Sequence, residues 1–431
     1  MGIDALGLNR RCKQSTRASG LKQTIQAGQR VTKEPHNEPA YAWVVVWGAF
    51  VSMAVIFGVA YSFAAFFESF AAEFAAQRAD VSMVFGLCGL IYFSFGAVGG
   101  ILADRFSPRI VCCSGMVCIA AGLLATSFAN AMGIVYLTYG IGIGIGVALV
   151  YTPSIACVQP WFSRRRGLAT GIASSGIGAG TVLVPLLATS AIAALQWRDA
   201  LRVMALGVLL LGFCAAYLLK RPPLPARVTG DQPPSIPGAT LRQALHDPRF
   251  WWFYLFTLAS APTMFIPFAH VSPSARDIGI SDASAVGLVG LIGIGSLVGR
   301  FAIGALADRL GRTRTLTLAL ASMAATYLLW LAADGYPALA VFALWFGLSY
   351  GGIVSLMPAI CMDMFGARAV ASIVGTLYSG AALGNLLGPV VAGAVFDRTG
   401  SYAPVMWGCL ALSLVSGFAS LKVVRRGGRV Y

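Results

Sequence analysis

Arg300 lies inside the run "GLVGLIGIGSLVGRFAIGALADR" at residues 287–309, which is otherwise apolar and dense in glycine. A guanidinium stays charged at physiological pH, and its planar fork presents two parallel donors that match a carboxylate. A charge inside an apolar helix costs several kcal/mol unless it faces an interior cavity, where such residues mark a transport path. The bland alternative is snorkelling. Arg300 is about two turns from the helix end near Asp308, ~10 Å at 1.5 Å per residue, and a long side chain can reach from there to the interface. Ser296 precedes it by four residues on the same helix face.

Other residues could carry protons or line a pocket. "FAHVSPSARDIGIS" places His270 near the end of an apolar run and Asp277 just beyond it. A histidine there titrates near neutrality and can handle a proton, while the plainer reading is an interfacial histidine and a solvated loop aspartate. Tyr139, Tyr350 and Tyr378 lie within apolar runs, where a phenol wants a hydrogen-bond partner, so they line a polar pocket or simply pack. Tyr151 and Asn385 are weaker candidates of the same kind. Enzyme chemistry finds no support. The three histidines, His36, His246 and His270, are scattered, the nine cysteines include no C-x-x-C pair, and no nucleophile–base spacing or carboxylate pair stands out. No metal and no cofactor is expected, and nothing resembles an ATP-binding loop.

The elements that must hold these residues are membrane helices. The chain of 431 residues is 58% hydrophobic and 11% charged, outside the balance of a soluble domain. About twelve continuous apolar stretches of roughly 20 residues recur, each able to cross a ~30 Å hydrocarbon core as a helix. They fall near residues 41–67, 83–103, 110–129, 133–158, 167–190, 200–219, 250–272, 285–306, 315–333, 337–361, 369–392 and 403–422. The expected class is an all-α membrane protein; continuous runs exclude the alternating pattern of a barrel. The net charge of +15 is asymmetric across these spans. One side holds the first 40 residues, Arg105, Arg109, Arg164–Arg166, the 220–249 loop, Arg309, Arg312, Arg314, Arg368 and the tail; the other holds Arg78, Arg198, Arg202, Arg276 and Arg398. That bias places both termini in the cytoplasm and accounts for the basic excess without nucleic acid.

Five segments result: a basic leader at 1–40, a six-span unit at 41–219, a proline-rich linker at 220–249, a second six-span unit at 250–422 and a tail at 423–431. The leader reads as disordered, with an anchor for anionic lipid as its functional alternative. Thr240 is placed to cap a short surface helix after the linker. The two units share an internal repeat. "GILADRFSPR" at 100–109 echoes "GALADRLGR" at 304–312, and the offset of 204 recurs for Gly171 with Gly375, Gly176 with Gly380, Gly180 with Gly384 and Pro185 with Pro389. Parallel six-helix repeats are a transporter plan.

These motifs resemble the major facilitator superfamily, whose signature after the second and eighth helices is G-x-L-A-D-R-x-G-R. The first copy departs from it, with Ser107 where the second glycine usually stands. The resemblance implies two six-helix bundles. It also implies a gate, with Asp104, Arg105, Arg109, Asp308, Arg309 and Arg312 forming charge pairs that latch one state and release in the other. "WFSRRRGLATGIASSGIGAG" at 161–180 is similar to the corresponding run of monocarboxylate transporters and their bacterial relatives, with Trp161 in place of tyrosine. That likeness implies that the eighth-helix Arg300 holds a substrate carboxylate and that His270 and Asp277 handle protons. The family often has Asp or Asn where this chain has Ser296, which removes a proton acceptor beside Arg300.

The expected function is secondary transport of a small monocarboxylate such as lactate or pyruvate with a proton, in a bacterial inner or plasma membrane. Its partners would be that anion, the proton and the lipid bilayer. Anion exchange of the oxalate–formate type is the nearest alternative, and a non-transporting sensor of the same ligand is a further one.

Overall fold

The computed structural model describes residues 39–162, 166–222, 238–366 and 368–425. Most of the leader, the centre of the proline-rich linker, Arg164 and Arg165, the last residues of the tail and the side chain of Asp104 lie outside the described residues, so the readings that fall on them are not addressed by it.

Helices account for nearly all the described residues from Tyr41 onward, and we number the crossings α1 to α12. α1 runs Ala40–Tyr61 and continues after Ser62 as Phe63–Phe74. α2 is Arg78–Arg105, α3 is Pro108–Thr126, and α4 spans Met132–Trp161 with a π-helical stretch at Tyr136–Ile143. A single helical run, Leu168–Tyr217, follows. At 50 residues it would be ~75 Å long if straight, more than twice a bilayer core. It turns back at Gln196 (φ 67°, ψ 163°) and supplies two crossings, α5 at 166–195 and α6 at 197–217. Among the described residues, eleven stretches long and apolar enough to cross a membrane therefore make twelve crossings. A short helix, Leu241–His246, precedes the second half and carries a reciprocal capping box between Thr240 and Gln243, as its sequence suggests. α7 is Pro248–Asp277, α8 Asp282–Leu310, α9 Arg312–Leu331, α10 Tyr336–Phe365, α11 Val370–Thr399 and α12 Ala403–Arg425.

The repeated glycines seat equivalent helix pairs in the two halves. A Cβ on Gly176 or Gly180 of α5 would lie 2.0 or 1.9 Å from a carbonyl oxygen of α1, Phe50 or Ala54. Their counterpart Gly384 in α11 faces α7, where a Cβ would lie 2.5 Å from that of Ala261. A reciprocal interlock joins α8 to α10. Gly295 and Gly299 meet the carbonyls of Leu344 and Leu348, and Gly347 and Gly351 meet those of Ile292 and Ser296, all at 2.0–2.2 Å for an added Cβ. Only small residues allow such backbone approach in a membrane bundle.

The two copies of the LADR turn explain their own difference. Gly311 has φ 88°, and Ser107, at the equivalent position, has φ 148°, a region that costs a side-chain-bearing residue energy. Ser107 offsets part of this by capping α3, its Oγ accepting from the Ile110 N–H at 3.3 Å ahead of Pro108. Replacing the cap by glycine loses only a few tenths of a kcal/mol, so Ser107→Gly is expected to stabilise the protein by about 0.5–1 kcal/mol. Gly311→Ala, whose Cβ would meet nothing, should lose about 1 kcal/mol through the backbone alone. Thermal unfolding in detergent measures both; a lower midpoint for Ser107→Gly would mean the cap outweighs the strain.

Candidate functional site: a cavity between the two halves

The interlock with α10 sets the rotation of α8 and turns Arg300 toward a cavity between the halves. This cavity contains about 610 Å³ of empty space, counting its open part. Its wall is made by Phe57 of α1, Tyr92 and Phe93 of α2, Tyr151 of α4, Ile177 of α5, Thr257, Ser260, Ala261, Met264 and Phe265 of α7, Arg300 of α8, Tyr350, Val354 and Met357 of α10, and Tyr378 and Ala381 of α11. Arg300 is the one charged residue in this lining, and among the described residues it has no carboxylate partner. Its field reaches the phenols of Tyr61, Tyr151, Tyr350 and Tyr378. Tyr350 shares a hydrogen bond with Tyr61 across the halves, at 3.3 Å.

Of the residues singled out by sequence, Arg300, Tyr350 and Tyr378 come together here, and so does the weaker candidate Tyr151. Ser296 and Tyr139 do not. Ser296 is buried against α10, where Gly351 rests on its carbonyl, and its Oγ has no hydrogen-bond partner among the described residues. Four residues along a helix leave Ser296 and Arg300 about 40° apart, enough for one to enter an interface and the other to reach past its edge. Tyr139 is fully buried in the π-helical stretch of α4 and donates to the Val59 carbonyl of α1 at 2.8 Å. Asn385 lies between α11 and α2, donating to the Phe85 and Gly86 carbonyls at 3.5 and 3.3 Å. Sequence reasoning missed the aromatic contributions of α1, α2 and α7; their apolar spans gave no sign of which face looks inward.

His270 and Asp277 belong to a second cluster, away from the cavity, at the end of the bundle that Asp277 occupies. His270 is fully buried. Its Nε2 lies 2.8 Å from the Pro389 carbonyl, which can only accept, so Nε2 carries the proton and Nδ1 accepts from the Tyr402 hydroxyl at 2.9 Å. The Tyr402 oxygen in turn accepts from Arg78 Nη1 at 2.8 Å. Arg78, at the start of α2, grips Asp277 of α7 with both terminal nitrogens, at 2.9 and 2.5 Å, and lies over the Phe396 ring at 4.0 Å. The N-cap residue Gln77 makes no side-chain cap. Instead Asp397 of α11 accepts from the N–H groups of Arg78 and Ala79 at 3.1 and 2.9 Å, capping α2 from the other half of the molecule. Ser82 lies 3.1 Å from His270.

The residues of the expected gate form no tie between halves among the described residues. Asp308 and Arg309 are exposed, Arg312 pairs with Asp363 of α10 at 2.7 Å, Arg109 lies over Tyr217 of α6 at 4.3 Å and Arg105 over its neighbour Phe106 at 5.5 Å. α2 and α11 meet through Gly393 and Ala79, Asn385 and Gly89, and Phe93 and Tyr378, but Gly375, further toward the Asp308 end, faces open space.

The Arg78 cluster thus joins the halves at the Asp277 end. Asp397→Ala should weaken that closure, and a cysteine in place of the buried Ser82 should then react with a membrane-impermeant thiol reagent at least severalfold faster, above the background of native cysteines. An unchanged rate would mean that the trans cap does not hold this end shut.

Comparison with known proteins places the chain. The Major Facilitator Superfamily matches over residues 48–389 and again over 263–429. Monocarboxylate transporter 13 of Bos taurus is 31% identical over 84% of this chain and 84% of its own length, and monocarboxylate transporter 3 of Rattus norvegicus is 31% identical over 85% and 76%. The fold is shared with the inward-facing, unoccupied crystal structure of a bacterial homolog of the human lysosomal transporter Spinster (TM-score 0.72, 15% identity, 91% of this chain and 100% of that one). The chain, a multi-pass membrane protein whose described residues make twelve crossings in two halves, belongs to the Major Facilitator Superfamily and, within it, to the monocarboxylate transporters, which are carriers and not enzymes.

Proposed function

We propose that this protein carries a small monocarboxylate of the lactate or pyruvate type across a bacterial inner or plasma membrane, together with a proton, by exposing its cavity alternately to each side. One observation carries this reading: Arg300 is a charge in an otherwise uncharged cavity at the junction of the two halves, without a carboxylate partner among the described residues. A guanidinium in that setting favours an anion that can supply the missing partner. The names of the relatives agree with such a substrate. The charge bias puts the Asp308 end and both termini in the cytoplasm. Asp104 and Asp308 with their neighbouring arginines would then latch the cytoplasmic end when it closes, as the Arg78 cluster ties the opposite end.

If Arg300 binds the carboxylate, Arg300→Lys keeps the charge but loses the fork, and Arg300→Ala loses both. Losing a charge-assisted hydrogen bond worth ~1.5–3 kcal/mol should lower affinity about ten- to a hundredfold in each variant without reducing membrane insertion. Uptake of labelled lactate and pyruvate into proteoliposomes measures this. A lysine variant with near wild-type affinity would instead indicate a snorkelling arginine.

Proton coupling rests on the His270 cluster. Protonating Nδ1 would turn the Tyr402 hydrogen bond around and set two cations, imidazolium and Arg78, on one phenol oxygen, loosening the grip on Asp277. His270→Gln and Asp277→Asn are expected to abolish accumulation driven by a pH gradient while leaving exchange at zero gradient. Full gradient-driven accumulation in both variants would favour anion exchange.

A further inference from the structure

Seven of the sixteen residues lining the Arg300 cavity are aromatic, and they form a continuous belt. Tyr92 packs on Phe93 at 4.3 Å between ring centroids, Phe93 meets Phe265 and Tyr378, both at 5.6 Å, and Phe57 stands edge-on to Tyr151 at 5.4 Å. Met264 and Met357 add soft, adaptable surface. Apart from Arg300, the polar groups are few, and most are occupied or confined to phenols. Thr257 and Ser260 donate to carbonyls of their own helix, those of Phe253 and Thr257, and Tyr350 is engaged with Tyr61. The hydroxyls of Tyr92, Tyr151 and Tyr378 have no hydrogen-bond partner among the described residues. The lining contains no carboxylate, amide or second cation.

This wall discriminates by chemistry. An amino acid would bring an ammonium that no lining carboxylate meets, and a dicarboxylate would press its second charge against phenylalanine and methionine. A sugar lacks both the anion for Arg300 and enough free partners for its hydroxyls. A lactate-sized acid satisfies Arg300 but leaves the aromatic belt without a ligand surface to cover it. We infer that the cavity is built for monocarboxylates bearing an aromatic ring, the carboxylate at Arg300, the ring within the belt around Phe93, and an oxygen at C2 within reach of the free phenols. This rests on Arg300 as the carboxylate site and specifies the substrate class. Aromatic rings gain both from area burial and from edge-to-face contact with the belt.

The matched pair of pyruvate and phenylpyruvate, which differ only by the ring, tests it on the purified full-length protein. Binding is measured by isothermal calorimetry in detergent and by competition against uptake in proteoliposomes. Phenylpyruvate should bind at least tenfold more tightly than pyruvate, and Phe93→Ala should cut that ratio at least fivefold; Phe93→Leu, which keeps the volume, serves if the alanine variant folds poorly. Equal or weaker binding of phenylpyruvate would overturn the inference and leave monocarboxylate transport intact, as would a ratio that neither Phe93 variant changes. Saturable binding of neither acid by folded protein would instead overturn the carboxylate reading itself.

Discussion

A guanidinium in an apolar helix bundle must meet a carboxylate, face water or receive a ligand, because the low dielectric makes an uncompensated charge too costly. The arginines of this protein divide along that line. On the side that is poor in basic residues, Arg78 is held by Asp277, Arg198 by Glu73, Arg202 by Asp199, and Arg276 by Asp282 with Glu68 nearby. Arg300, deeper in the bundle, has no such partner among the described residues and lines the cavity. The same electrostatic requirement therefore accounts for the tied end and makes the cavity charge the basis of the proposed anion site.

Glycine packing gives this arrangement its precision. Arg300 follows Gly299, whose missing side chain lets α8 lie against the Leu348 carbonyl of α10, and Gly351 returns the contact at Ser296. A methyl group at any of these positions would force the backbones apart and turn Arg300 with them. The positioning of the one charge in the cavity is thus a property of four glycines, Gly295, Gly299, Gly347 and Gly351, that have no chemistry of their own.

The tie at the Asp277 end joins unlike interactions in one cluster. Asp397 caps α2 across the halves, Arg78 bridges to Asp277, and Tyr402 connects that arginine to a buried histidine. The Asp397 cap, the Arg78–Asp277 pair and the Arg78–Tyr402 bond run between the halves, while the Tyr402–His270 bond lies within the second, so separating the halves at this end exposes the α2 N–H groups and Arg78 and removes the arginine from the phenol that His270 holds. That cooperativity suits an element with two states, in which a change at one member is felt by all.

The sequence by itself determined the membrane class, the number of crossings, the repeat and the one arginine inside a span, because these follow from hydropathy, charge bias and spacing along the chain. The departure at Ser107 was legible as a serine where the repeat partner at 311 is glycine, but the strain it carries showed only in its φ of 148°. Which face of each helix looks inward was decided only in three dimensions. Tyr139 and Tyr151 are both tyrosines of one apolar helix, yet the π-helical stretch and the contact with Val59 turn the first into α1 while the second lines the cavity. Ser296 and Arg300 share a helical face by spacing, and the interlock with α10 separates them. The partners of Arg78 lie 199 and 324 residues away, at Asp277 and Tyr402. Hydrophobic periodicity carries little information about rotation when a helix is apolar all round, so orientation is set by which small residues let neighbouring backbones approach, and that is a property of the packed bundle alone.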